Sequence, residues 1–183
     1  MSTYTADWFS YSIPVWKNVV VPNLRQGAGR KFLELGSYEG RSAEWLLDNV
    51  MSPGDELTCV DIWRSDDAEK RFDENVGDRV KKVKRDGTQA LLSLVQMGEK
   101  FDCIYIDGDH NGRVVLENAV IAWMLLPIGG VMVFDDYRYA VPMQYSMGSI
   151  DTRFGIDAFL DCYTLKIRVL HKTAQVVIVR CEQ

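Results

Sequence analysis

The chain alternates short apolar runs with longer stretches whose apolar residues recur every three or four positions, which predicts strands separated by helices. Such alternation builds a mostly parallel sheet with helices on both faces. The first clear unit is Phe32-Leu33-Glu34-Leu35, an apolar run that breaks at Gly36. Past Gly40 a helical repeat places Ala43, Leu46, Leu47 and Val50 on one face and stops at Ser52-Pro53-Gly54. Glu56 to Asp61 predicts a second strand, Ser65 to about Gly77 a charge-rich helix with Phe72 and Val76 inward, and Val80 to Lys84 a third strand. Asp86-Gly87-Thr88 follows, with Thr88 expected to cap a helix over Gln89 to Met97 that Gly98 ends. Phe101 to Ile106 predicts a buried strand leading into Asp107-Gly108-Asp109-His110. The next helix, Arg113 to about Leu126, is expected to turn Leu116, Ala119, Val120, Trp123 and Met124 inward. Pro127-Ile128-Gly129-Gly130 then leads into Val131-Met132-Val133-Phe134, a wholly apolar strand ending in Asp135-Asp136-Tyr137.

The two ends of the chain read differently. From Arg138 to Arg153 there is no periodicity, and a loop of that length inside a compact domain marks function or mobility. A helix over Gly155 to Tyr163, with Ile156, Phe159 and Leu160 inward, precedes two apolar strands, Leu165 to Leu170 and Gln175 to Val179. His171-Lys172-Thr173-Ala174 joins them as a hairpin, so one of the two runs against the parallel sheet, and His171 is expected on the exposed turn. At the other end, residues 1–29 carry Trp8, Phe9, Tyr11 and Trp16 around Pro14, then Val19 to Val21 before Pro22. This segment reads as a cap arm with a short helix ended by Pro22. Two roles fit it equally: its aromatics lie over the ligand side, or they only cover the core.

Composition narrows the class. At 183 residues, 47% hydrophobic and 26% charged, the chain is expected to be one soluble domain with a sizeable core. No apolar run approaches the roughly 18 residues a membrane helix needs, and the start lacks the basic and apolar regions of a secretory signal. Four cysteines without paired spacing suggest reduced thiols, those at Cys59, Cys103 and Cys162 buried, and a cytoplasmic protein. A net charge of −5 argues against nonspecific nucleic-acid binding, and the basic run Arg79 to Arg85 reads as the solvated face of an edge strand.

The candidate chemistry gathers at strand ends. Glycine at Gly36 suits a turn where a Cβ would obstruct both a positive φ and close approach to a ligand. The spacing Glu34-x-Gly36-x-x-x-Gly40 departs from the dinucleotide pattern, and an acid just before the first glycine suits an ammonium or sulfonium group rather than a pyrophosphate. Asp61, at the end of the second strand, can accept hydrogen bonds from ribose hydroxyls. Trp63 either lies against an adenine or covers the helix that follows. Asp107, Asp109, Asp135 and Asp136 crowd two adjacent strand ends; at least one carboxylate would bind a proton unless a cation sat among them. The alternative is that they cap a helix and fix a turn.

Three phrases resemble the class I S-adenosylmethionine-dependent methyltransferases, in particular the small type-24 methyltransferase domain: Leu33 to Ser42, Tyr105 to His110, and Pro127 to Tyr137. That group is akin to catechol O-methyltransferase and to sugar O-methyltransferases of macrolide and aminocoumarin biosynthesis. The resemblance implies a single three-layer α/β/α Rossmann-like domain whose seven-stranded sheet has the order 3-2-1-4-5-7-6 with one antiparallel strand. It implies that S-adenosylmethionine is held by Glu34, Gly36, Ser37, Gly40, Ser42, Asp61, Trp63, Asp86, Gly87, Thr88 and Asp107. It further implies a divalent metal, Mg²⁺ or else Mn²⁺ or Ca²⁺, on Asp107, Asp135 and Asp136. The catechol enzymes pair Asp with Asn where this chain has Asp135-Asp136, as the sugar enzymes do. Where those relatives have a lysine base this chain has His110, which either takes the proton or only caps a helix or sits at the surface; Asp107 and His110 are the catalytic candidates. The expected acceptor is a small-molecule or glycan hydroxyl. Two rivals remain open: metal-free methylation of nitrogen or of a macromolecule, and cofactor binding without catalysis. The sequence is compatible with a homodimer but carries no code for one.

Overall fold

The computed structural model describes residues 2–138 and 150–181, so most of the loop expected over 138–153, with Tyr139, Pro142, Met143, Tyr145 and Met147, lies outside the described residues. Seven strands, β1 (Lys31–Leu35), β2 (Glu56–Asp61), β3 (Lys81–Lys84), β4 (Cys103–Ile106), β5 (Val131–Phe134), β6 (Ile167–Lys172) and β7 (Val176–Arg180), form one sheet in the expected order, β3-β2-β1-β4-β5-β7-β6. β1 to β5 pair in parallel, and β7 runs antiparallel to both β5 and β6. Five helices cover it: α1 (Arg41–Asn49), α2 (Asp66–Asn75), α3 (Gly87–Gln96), α4 (Gly112–Leu125) and α5 (Thr152–Cys162).

Strand residues alternate between faces, and the alternation builds two cores. Leu33, Leu35, Ile104, Ile106, Met132 and Phe134 pack with α3, α4 and α5. Phe32, Cys103, Tyr105, Val131 and Val133 face the other way, onto α1, α2 and the N-terminal segment through Trp16, Trp45 and Phe72. Burial on both faces explains why the central strands read as continuous apolar runs. β3 lies at the sheet edge, and its basic run is met by acids: Lys82 pairs with Glu69 and Asp73, Lys84 with Glu69, and Arg79 with Asp48. No helix among the described residues is long and apolar enough to cross a membrane.

Local corrections have physical causes. α4 buries Val115, Asn118, Ala119, Ala122 and Trp123, while Val120 and Met124 of the expected stripe are 41% and 54% exposed. The helix packs against both α3 and α5, so its apolar arc is wide and its centre is ambiguous from spacing alone. α5 starts at Thr152, not Gly155; a Cβ on Gly155 would lie 1.9 Å from the Gly112 carbonyl oxygen, so this glycine permits the α4–α5 crossing. His171 belongs to β6, opposite Val177, beside an irregularity between Val169 and His171, and the turn lies beyond it. The N-terminal helical turns pass through a π segment (Trp16–Val20) and end one residue after Pro22. Cys162, at the last residue of α5, is exposed rather than buried.

Candidate active site

The carboxyl ends of β1, β2 and β4 open onto a cleft of about 440 Å³. Its floor depends on Gly36, at φ 88°, where a Cβ would stand 2.2 Å from the carbonyl oxygen of Asp107. The β1 turn and the β4 end thus touch backbone to backbone, which only glycine allows. Gly40 does something else: a Cβ there would meet Val76 Cγ2 at 2.4 Å, so this glycine admits the end of α2.

Around the floor, Asp61 is fixed by two backbone donors, the N–H of Tyr38 (2.9 Å) and of Trp63 (2.7 Å). The Trp63 ring is buried against Phe72, with centroids 4.7 Å apart, and donates its Nε1–H to the Tyr38 carbonyl at 2.7 Å. It covers α2 and reaches the cleft wall as well. Asp86, not Thr88, caps α3, accepting from Gln89 N–H at 3.1 Å, because the helix begins two residues earlier than the spacing suggested. Thr88 instead donates to Asn118 Oδ1 at 2.8 Å. Asp86, Gly87, Thr88 and Asn118 all line the cleft.

Glu34, Ser37 and Ser42 are buried and do not line the cleft. Among the described residues Glu34 Oε1 and Ser37 Oγ complete no hydrogen bond, and the other carboxylate oxygen accepts from the Cys59 thiol at 3.6 Å. Burial pushes the Glu34 carboxyl up, with the nearby serine hydroxyls and the thiol opposing.

Beside this cleft the ends of β4 and β5 bring acids together. Asp107, His110 and Asp136 each offer a ligand atom, all within 4.8 Å of one another, and His110 Nε2 lies 2.7 Å from Asp136 Oδ2. Burial, then the charges of Asp135 and Asp136, push the Asp107 carboxyl well above the usual carboxylate range. Asp135 is raised by burial, with the Tyr105 hydrogen bond opposing. The hydrogen bond to Asp136 raises His110, against desolvation. Asp135 itself stands outside this trio: Tyr11, Tyr105 and Gln175 side chains and the Asp136 N–H all donate to it. The Tyr105 hydroxyl also lies 3.1 Å from Asp107 Oδ2. Asp109 fixes a turn, accepting from Asn111 N–H at 2.7 Å, and lines the cleft.

The arm's aromatics divide between core and cleft rim. Phe9 and Trp16 join the core against Trp45 and Tyr105, whereas Trp8 lies on the cleft-lining Tyr38 with centroids 5.1 Å apart. Thr5 anchors it to Glu39 through its N–H (2.6 Å) and hydroxyl (2.8 Å). Sequence reasoning missed Tyr38, Asn118, Tyr11 and Gln175 as site residues. Asn118 had left a signal, as a polar residue on the buried arc of an apolar helix.

Residues 33–137 match the profile of a methyltransferase domain family, type 24. No curated protein matches the sequence significantly. In fold the chain is similar to an O-methyltransferase from Bacillus cereus in complex with SAH, with TM-score 0.70 and 19% identity over 97% of this chain and 84% of that one. It is also similar to the MycE methyltransferase of the mycinamycin biosynthetic pathway, in complex with Mg, SAH and mycinamycin VI. There the TM-score is 0.70 and identity 13%, over 98% of this chain and 51% of that one, so it spans about half of that protein. The TomG O-methyltransferase from Streptomyces achromogenes, involved in tomaymycin synthesis and in complex with SAM, gives TM-score 0.65 and 15% identity, covering 97% of this chain and 92% of that one. With a profile match across more than half its length and the sheet order such enzymes share, the chain belongs to the type-24 methyltransferase domain family, of the class I S-adenosylmethionine-dependent kind.

Proposed function

We propose that this enzyme methylates a hydroxyl of a small molecule or sugar with S-adenosylmethionine, and that a divalent cation, Mg²⁺ or else Mn²⁺ or Ca²⁺, serves the transfer. The observation that carries this reading is a juxtaposition: a cleft over the Gly36 turn, and next to it carboxylates and an imidazole at the ends of β4 and β5. S-adenosylmethionine would supply a methyl carbon activated by its positive sulfur. Glu34 Oε1 and Ser37 Oγ, buried beneath the turn and left without a hydrogen bond among the described residues, would meet a ligand's ammonium group only if the turn gives way toward the cleft. Asp61 is placed to accept from ribose hydroxyls, and Asp86, Thr88 and Asn118 offer polar atoms to a purine.

The acidic cluster suits a hard cation, because two of its carboxyls, Asp107 and Asp135, are pushed toward protonation by burial and by neighbouring carboxylates. Asp107 and Asp136 would hold the ion, with Asp135 adjoining, and the ion would lower the pKa of a hydroxyl placed on it. His110, at the rim and oriented by Asp136, would take the hydroxyl proton. Backbone contact between the Gly36 turn and Asp107 fixes the spacing of the two halves, which is what alignment of oxygen and methyl requires. The Mg- and SAH-bound MycE complex supports the same pairing of ion and cofactor. Free thiols at Cys59, Cys103, Cys162 and Cys181 support a reducing, cytoplasmic home.

The test is adenosylhomocysteine formation from S-adenosylmethionine with a panel of hydroxylated acceptors, with EDTA and after Mg²⁺ is restored. Turnover is expected to vanish in EDTA and return with the ion. Full activity in EDTA would remove the cation; no calorimetric heat with adenosylhomocysteine would remove the whole reading.

A further inference from the structure

The carboxylate of Asp135 accepts hydrogen bonds on both oxygens from four directions. Oδ1 takes the Tyr11 hydroxyl at 3.0 Å and the Asp136 N–H at 2.8 Å. Oδ2 takes Gln175 Nε2 at 3.0 Å and the Tyr105 hydroxyl. A carboxylate offers about four lone-pair sites, so in this arrangement Asp135 has none left for a cation. One donor must leave before it can join Asp107 and Asp136.

The four donors differ in how easily they leave. Tyr105 and Gln175 are each 1% exposed, and a freed hydrogen-bonding group there would stay dry. The Asp136 N–H is backbone, in a residue already held at φ 56°. Tyr11 is 55% exposed and belongs to the N-terminal arm, so water can replace its partner.

We propose that Tyr11 is a releasable latch on Asp135, holding this carboxylate among its four donors and giving way when Asp135 turns toward a divalent ion. The inference rests on the cation reading above and adds a positioning residue from the arm to it. It also couples two regions: since the arm also packs Trp8 on Tyr38 at the cleft wall, cation binding and arm docking bias one another. Such coupling is reciprocal by linkage.

The test titrates Mn²⁺ into the full wild-type chain and into Tyr11→Phe, following free Mn²⁺ by electron paramagnetic resonance. Tyr11→Phe is expected to bind Mn²⁺ about tenfold tighter, the effect of removing one competing hydrogen bond to a charged group. A phenol that merely braced the arm would not tighten the site when lost. In parallel, the chain is labelled with 3-fluorotyrosine; the fluorine resonance missing from Tyr11→Phe is expected to move on Mg²⁺ addition. Equal or weaker Mn²⁺ affinity in Tyr11→Phe, or an unmoved resonance, overturns the latch alone. If neither protein binds Mn²⁺, the cation reading falls and takes the latch with it.

Discussion

Gly36 and His110 show what single residues contribute. Replacing Gly36 with alanine puts a methyl group 2.2 Å from the Asp107 carbonyl oxygen in a backbone held at φ 88°. The left-handed strain and the backbone displacement together are expected to cost about 3 kcal/mol, read as a lower urea midpoint. Gly40→Ala meets a side chain, Val76, rather than backbone, and is expected to cost less. His110 is held above its ordinary pKa chiefly by Asp136. As the proposed base it would work when neutral, so turnover is expected to rise with pH through that raised value. His110→Gln should lower kcat by roughly 10²-fold or more and flatten that limb of the profile. A flat profile in the wild type would exclude histidine as the base. The pair also contributes to stability: that contribution is full below about pH 6.5, the unfolded value, and is lost as pH rises through the folded one.

Among elements, the entry to β1 depends on an ion pair. Asp55, in the loop after α1, accepts from Arg30 N–H (2.7 Å), Arg30 Nε (3.0 Å), Arg30 Nη2 (2.6 Å) and Ser52 N–H (2.8 Å), with its side chain wholly buried. Asp55→Ala leaves the Arg30 guanidinium buried without its partner and is expected to cost about 3 kcal/mol by chemical denaturation. At this scale the sequence is informative where burial is two-sided. β4 and β5 were visible as unbroken apolar runs ending in acids, and the Gly36 turn by its break. The extent of α4 is legible, but Val120 and Met124 of its expected stripe are exposed, since a helix packed between two others has no single stripe. The contacts that set Asp135 were not visible: Tyr11 lies 124 positions away in sequence and Gln175 lies 40. No local period links residues that only the folded sheet brings together.

For the whole molecule, the acidic cluster links stability to pH and to cations. Asp107 and Asp135 have folded pKa values raised above the unfolded one of about 3.9. The folded state therefore keeps protons that the unfolded state releases, and their contribution to stability falls as pH rises through that interval. Adding saturating Mg²⁺ at pH 7.5 is expected to raise Tm by about 5–10 °C at a hundredfold excess over Kd, with a smaller gain at pH 5. Asp107→Asn should abolish the gain. Differential scanning calorimetry with and without the ion checks both, and an equal gain at the two pH values would count against carboxylate repulsion as its source.

Tyr38, Trp63 and Asp136, three non-glycine residues with φ of 44°, 40° and 56°, stand just past the ends of β1, β2 and β5. Each holds the backbone where a side chain is disfavoured, at a cost of about 1–3 kcal/mol. Glycine at Tyr38 or Asp136 would release that strain while deleting a cleft wall or an acid. Directed evolution of this protein by heat survival alone would therefore erode the cleft wall and the acid proposed for the cation, and any thermostable library needs those two codons locked.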